Sequence, residues 1–305
     1  MKVLYKYYSN NFDILDHLEN PAIKLAPTLN FNDPFESTLC EALATKLSEG
    51  LLDFAKAQGD TSLTEVYKNI YMDLPKSYGV ISLTENHRNI LMWAHYASSH
   101  KGICIGYKHD FIERSFKANE IDKLLGITNP LPQRVIYDSK RFDINKFNEK
   151  TPEEQIPYDF IMEKMLIKSN EWIYEKEHRC IMPFQYGELI KTTREPSLKT
   201  TDIIYENLKK MSIKRGDGNH EYYFNKLPNI QLNNSIHILA QQNDVIILKK
   251  ILPESIDSIY FGCQSDDSII RETLKKLNQN NYKSVKIYKY KTNNDTFDIN
   301  EERLL

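Results

Sequence analysis

EWIYEKEHRCIM, residues 171–182, is the stretch on which the reading of the fold turns. Three apolar residues, five polar or charged ones and three apolar ones follow one another, and in a β-strand successive side chains point to opposite faces. As one continuous strand it places Trp172, Tyr174, Lys176, His178, Cys180 and Met182 on one face. Ile173, Glu175, Glu177, Arg179 and Ile181 then share the other. Two carboxylates and a guanidinium between isoleucines suit either a solvated ladder of alternating charge or the floor of a cleft. In a cleft, Arg179 keeps one glutamate ionised while proximity raises the pKa of the other, giving an acid/base or cation-stabilising pair. Pro157 to Ser169 reads as a helix leading into the strand. Ile161, Met165 and Lys168 fall on one stripe of it, so Lys168 either snorkels to water or meets the glutamates.

Upstream, YGVISLT (78–84) reads as a strand, NILMWAHYASS (89–99) as a helix and GICIGY (102–107) as a buried strand. The helix carries Trp93, His95 and Tyr96 on adjoining faces. His95 and His100 are five apart and share no face, so a zinc pair is not indicated. At the start, KVLYKYYS reads as a strand in which Tyr5 and Tyr7 offer flat rings for stacking. A helix over NNFDILDHLEN and a short strand AIKLA follow. FNDPFE (31–36) hangs off its end, either as a turn built on Asn32, Asp33 and Pro34 or as a pocket wall held by Phe31 and Phe35. Residues 40–72 read as helical, and RVIYD (134–138) as a short strand.

Downstream, DVIILKKI, SIDSIYFG and SVKIYKYK read as strands. SDDSIIRETLKKL reads as a helix with Ser265 as its N-cap. About 191–234 the chain turns polar, which suggests an insertion or lid. Short strands interleave with helices without regular βαβ alternation. The expected fold is therefore a single α+β domain over 1–305, a mixed central sheet of short strands with flanking helices.

With 305 residues, 41% apolar and 27% charged, the composition is that of a globular protein. A net charge of −2 provides no global attraction to nucleic acid or membrane. Gly-rich phosphate loops of the GxGxxG or GxxxxGK[ST] type are absent from the sequence. The four cysteines stand singly, as expected of thiols in a reducing compartment. With no apolar leader and no run of about 18 apolar residues, a cytoplasmic location without a membrane partner is expected.

LYKYYS, LNFNDPFE, ISLTEN…LMWAHYASSHKGICIGY and W-x-YEKEHR together resemble a widespread bacterial family, a domain of unknown function found near mobile elements and phage-defence genes. More distantly, the layout is similar to ADP-ribosyltransferase-like folds, including toxins that modify nucleic acid and abortive-infection proteins. That resemblance implies a role as toxin or effector in phage defence, with NAD consumed as substrate and no metal. Glu177 then stabilises the ribosyl cation and Glu175 serves the acceptor. Tyr5, Lys6, Tyr7, Asn32, Asp33, Ser82, Thr84, Trp93, His95, Tyr96 and Arg179 bind the nucleotide. Lys6 departs from the pattern, which has His or Arg there, and a lysine makes a point contact rather than a fork. The acceptor is nucleic acid, protein or water, and a neutralising antitoxin or defence-system partner is implied. Two other readings of the same residues are a metal-dependent nuclease using Asp33, Glu36, Glu175 and Glu177 around Mg²⁺, and a non-enzymatic sensor of a nucleotide or phage protein.

Overall fold

The computed structural model describes residues 2–56, 63–116, 131–143, 162–192, 220–223, 236–279, 282 and 284–305. The first strand, β1 (Val3–Tyr8), is followed by α1 (Ile14–Glu19), β2 (Ala22–Lys24) and β3 (Ala26–Pro27). Asp13 caps α1 through the Asp16 amide at 2.9 Å. Two helices, α2 (Glu41–Lys56) and α3 (Leu63–Asp73), precede β4 (Tyr78–Thr84), α4 (Ile90–Tyr96) and β5 (Ile103–Lys108). Next come β6 (Gln133–Arg134), β7 (Ile136–Asp138), β8 (Ile167–Ser169), β9 (Glu177–Pro183), β10 (Leu189–Thr192) and β11 (His220–Tyr223). The chain ends with α5 (Ile236–Ala240), β12 (Val245–Lys250), β13 (Ile256–Phe261), α6 (Asp267–Gln279), β14 (Lys286–Thr292) and β15 (Ile299–Arg303).

Among the described residues these strands form a nine-stranded sheet in the order β15-β14-β13-β5-β1-β4-β9-β6, with β3 also paired to β4. A four-stranded sheet runs β11-β10-β12-β2, and β7 pairs with β8. The large sheet is antiparallel except for β13 and β14, which are parallel and joined through α6. The architecture is thus mixed α+β with a large mixed sheet. No helix among the described residues is long and apolar enough to cross a membrane.

One face of the large sheet buries Leu4, Ile81, Leu83, Ile105, Cys180 and Met182 against α1, α6 and the smaller sheet. The opposite face carries Tyr5, Tyr7, Ser82, Thr84, Glu177 and Arg179, the other members of the same alternation. Helix α4 covers part of that second face through Met92 and Trp93. Its position is set at both ends. Asn89 accepts from the amides of Leu91 and Met92 at 2.9 and 3.2 Å, and donates to the Tyr174 carbonyl at 2.9 Å. Beyond α4 the chain reverses through three left-handed residues, Ser98, Ser99 and His100, with φ of 47, 53 and 68°. It enters β5 at Gly102, where a Cβ would stand 2.1 Å from the Tyr8 carbonyl oxygen.

The structure corrects several expectations. EWIYEKEHRCIM is not one strand: residues Asn170–Glu175 form a 3₁₀ helix, Lys176 is left-handed (φ 46°), and the strand begins at Glu177. Lys168 belongs to β8 rather than to a helical stripe. Ser265 does not cap α6. Asp266 accepts from the Ser268 amide at 2.8 Å, while the Ser265 hydroxyl donates to the carbonyls of Lys101 and Gly102. Within the polar stretch at 191–234, Lys191 and Thr192 end β10 and residues 220–223 form β11 paired to it. Positions 193–219 and 224–234 lie outside the described residues, as do 157–161; of the helix expected over 157–169, residues 162–164 are helical and the chain then turns into β8.

Candidate functional site

The site grows from the end of β9. In an L-residue the left-handed conformation costs about 1–2 kcal/mol, and here Lys176 adopts it while its side chain stays exposed. The kink is pinned from β4: the Thr84 hydroxyl donates to the Glu175 carbonyl at 2.6 Å and the Glu85 amide to the Lys176 carbonyl. Glu175 and Glu177 therefore reach the same point from two different backbone elements.

That point is Lys168. Its ammonium stands 2.7 Å from Glu175 Oε2, 3.2 Å from Glu177 Oε2 and 3.6 Å from Glu36 Oε2, and over the Trp172 ring. Arg179 completes the cluster. Its Nε and Nη2 each donate to Glu177 at 2.8 Å, a two-point pairing that a lysine could not make. Nη2 also meets Glu36 Oε1, and Nη1 donates to the Met165 carbonyl at 2.6 Å. Phe31 lies against the guanidinium face. All five charged side chains are nearly solvent-free, at 7% exposure or less.

These contacts determine protonation. Burial pushes Glu177 up, but the charges of Arg179 and Lys168 and the bonds from Arg179 and Ser82 outweigh it, and the carboxyl is held at about 2. Glu36 goes the other way: burial raises its pKa, and the opposing charges of Arg179 and Lys168 do not fully offset it. Tyr96, which donates to Glu175 Oε1 at 2.5 Å, is pushed upward by burial and then by that carboxylate. Tyr137, at 2.8 Å from the Glu177 amide, is raised to about 12 by burial and then by Glu177 and Glu175.

The cluster forms one end of a cleft of about 370 Å³. Of the residues singled out from sequence, Tyr5, Lys6, Tyr7, Asn32, Ser82, Thr84, His95, Tyr96, Glu175, Glu177 and Arg179 line it. Lys6 enters where β1 and β4 part after their single register pair, Tyr5 with Thr84. Its Nζ donates to the Ser82 carbonyl at 3.1 Å, and burial lowers its pKa to about 8 against the pull of Glu177. Asn32 sits at the mouth and donates to Tyr96 Oη at 3.3 Å. His95 is an exposed residue on the rim.

Two expected residues go elsewhere. Trp93 is completely buried beside Tyr7 and Tyr290, with its indole NH on the His87 carbonyl, because its ring fills the junction of α4 and the sheet. Met92 takes the cleft position instead. Asp33 accepts from the Phe35 amide at 2.9 Å, so its carboxylate serves the turn and faces a neighbouring cavity. Phe35 is 59% exposed, leaving Phe31 as the anchoring ring. Glu36 is the opposite case. The sequence offers it as a polar group of the FNDPFE loop and as one ligand of a metal set, and the structure places it in the ion cluster, because the turn after Asp33 brings the carboxylate back toward Arg179 and Lys168. Among the described residues no three His, Cys, Asp or Glu groups converge on a metal position. The space between Glu36, Glu175 and Glu177 is taken by the Lys168 ammonium.

No curated protein and no solved structure shows significant similarity to the chain. Residues 92–180, which run from within α4 through Lys168, Glu175, Glu177 and Arg179, match the family described as Protein of unknown function (DUF2971), and over that segment the chain is similar to the family.

Proposed function

We propose that the cleft binds a nucleotide and that the protein consumes NAD, acting as an ADP-ribosyltransferase or NAD glycohydrolase. The observation that carries this reading is Glu177. It is a buried carboxylate at one end of a cleft walled by tyrosines, held ionised at about 2 by Arg179 and Lys168. A fixed negative charge in a water-poor site is suited to a cation that develops only in the transition state. In NAD cleavage the bond from ribose C1′ to nicotinamide nitrogen breaks, and the electron pair leaves with nicotinamide. The oxocarbenium-like sugar is then captured by an acceptor oxygen or nitrogen, which loses a proton.

In this reading Glu177 faces the ribosyl cation and Glu175, bonded by Tyr96, stands beside the acceptor. Tyr5 and Tyr7 supply stacking surface. Lys6, protonated below about 8, supplies a positive charge for the ligand's phosphates. Arg179 acts through Glu177 rather than on the ligand, since its donors already meet Glu177, Glu36 and Met165. The resemblance of the sequence layout to ADP-ribosyltransferase-like proteins agrees with the same assignment. An effector role in phage defence, with a neutralising partner, extends it.

The test is nicotinamide release from NAD by the purified protein, with and without candidate protein and nucleic-acid acceptors. E177Q should lower the rate by about 10²–10³, the range for losing a preorganised electrostatic group. Failure to release nicotinamide, with E177Q indistinguishable from wild type, would sink the enzymatic reading. One observation favours a nucleotide sensor instead: both oxygens of Glu175 and of Glu177 already accept bonds from the protein. Nucleotide binding without turnover would select it. Nicking of DNA or RNA that requires a divalent cation and stops with EDTA would point to the nuclease.

A further inference from the structure

Behind the ion cluster lies a second cavity, of about 250 Å³. Glu36, Lys168 and Arg179 line both spaces, so the cluster is a partition between two chambers rather than the back wall of one. The chemistry of the second chamber differs from that of the cleft. One side is apolar, with Leu39, Leu43 and Met165 buried in its lining. The other carries Lys140 and Arg141. Arg141 donates to the backbone carbonyls of Phe35 and Thr38 and lies over the Phe35 ring, so these hydrogen bonds go to neutral acceptors. Lys140 is exposed, and its backbone amide donates to Asp138 Oδ1 at 3.1 Å. Ser139, Ser169 and Lys164 also line the cavity, as do Asp33 and Asp138, whose carboxylates accept from the backbone amides of Phe35 and Lys140.

An apolar wall facing an exposed lysine, an arginine bonded to neutral carbonyls, hydroxyl groups, and carboxylates already engaged by backbone amides suits a ligand with a flat or apolar body and an anionic head. The partition adds one more feature. Glu36 Oε2 is buried and accepts no hydrogen bond, with Lys168 at 3.6 Å as its nearest charge. A group that donates a hydrogen bond at that wall would relieve an unsatisfied acceptor.

We propose that this second cavity is a separate binding site for a phosphomonoester carrying a planar body, of the nucleoside monophosphate class, with the phosphate at Lys140 and Arg141. The ligand arrives either as a free mononucleotide or as the 5′-phosphorylated end of an oligonucleotide. The site does not depend on NAD turnover.

Calorimetric titration of the full chain tests this with AMP, adenosine, glycerol phosphate and a 5′-phosphorylated dinucleotide. AMP should bind at least tenfold more tightly than adenosine, which lacks the anion, or glycerol phosphate, which lacks the planar body. The dinucleotide separates the sources: affinity equal to or above that of AMP indicates an oligonucleotide end, and exclusion indicates a free nucleotide. K140E should weaken AMP at least tenfold while leaving NAD binding in the cleft unchanged. S82W, which fills the cleft, should weaken NAD and leave AMP binding intact. Because Lys140 is exposed, K140E should fold normally, and circular dichroism checks this. If AMP does not bind, or if S82W abolishes its binding while K140E does not, AMP has no site here and the proposal fails. Loss of NAD turnover with AMP binding retained overturns the function proposed above and leaves this site standing.

Discussion

Two regions share one face of the nine-stranded sheet and are filled in opposite ways. Toward β13 and β14 the face is closed by rings. His87 stacks on Tyr260 at 4.2 Å, Tyr260 on Tyr288 at 4.8 Å, and Trp93 meets Tyr290 edge-on at 5.5 Å. Toward β4 and β9 the same face carries Glu177 and Arg179, joined by Glu36, Lys168 and Glu175, and beside them the cleft stays open. Rings can fill space against one another and close it. Buried charges cannot collapse in that way, because each must keep its partners, and their directional bonds hold apart the elements that supply them. The contrast teaches that the cleft is maintained by polar geometry and the neighbouring core by volume.

The comparison is broken most severely by removing a cation. R179M leaves Glu177 and Glu36 without their principal partner and should cost about 3–5 kcal/mol, as for a broken buried pair. It should also abolish binding of the cleft ligand. Urea unfolding with parallel ligand titration measures both. On the aromatic side, W93A should cost a similar amount, about 3–5 kcal/mol for an emptied aromatic site. Its cleft-ligand affinity should stay near that of wild type, since Trp93 does not line the cleft. Equal damage to both functions would show that the two regions are not independent.

Two pH experiments sharpen the contrast. Glu177 has a folded pKa of about 2, below the ordinary carboxylate value of 4.5. Its stabilising contribution is complete above about 4.5 and is lost as pH falls through about 2. The stability gap between wild type and E177Q should therefore narrow over that window in denaturant titrations. Lys6 is shifted in the same direction, so stability again rises with pH, but here the charged form is the one the fold disfavours. At about 8 in the fold against 10.5 ordinarily, it gives up its proton in the fold before the unfolded chain does. Stability should rise between about 8 and 10.5, and K6M should flatten that rise. Side-chain NMR of Lys6 should show a midpoint near 8. The smallest effect belongs to an exposed pair, Arg88 with Asp298 at 2.9 Å. R88A should change stability by less than about 1 kcal/mol, and the difference should fade in high salt.

Much of the strand framework was legible because periodicity and burial agree within each strand. YGVISLT is β4 from Tyr78 to Thr84, and GICIGY, DVIILKKI and SIDSIYFG fall on β5, β12 and β13. The helix expected over 89–99 forms as α4, shorter at its end because Ser98 and Ser99 turn left-handed, and the structure shows Asn89 as its cap. The cluster was legible only in part. Glu175, Glu177 and Arg179 drew attention as an unusual row of charges, but the continuous strand that seemed to align them is broken at Lys176. They meet because the chain kinks, and no propensity assigns a left-handed conformation to a lysine. Trp93 was misplaced because sequence does not distinguish a ring that walls a cleft from one that fills a core. β15, with INEER, carries too little apolar alternation to read as a strand. It forms because β14 offers it an edge.

By itself the sequence determined which segments could be strands and helices, since side-chain period and backbone preference act over a few neighbouring residues. It also supplied the charges from which a cluster could be made. Only the tertiary structure decided that Glu36, from a turn near the start, and Lys168, from a short strand far downstream, would close around the end of β9. Coulombic pairing and burial depend on distances across the fold. Neighbours along the chain do not set those distances.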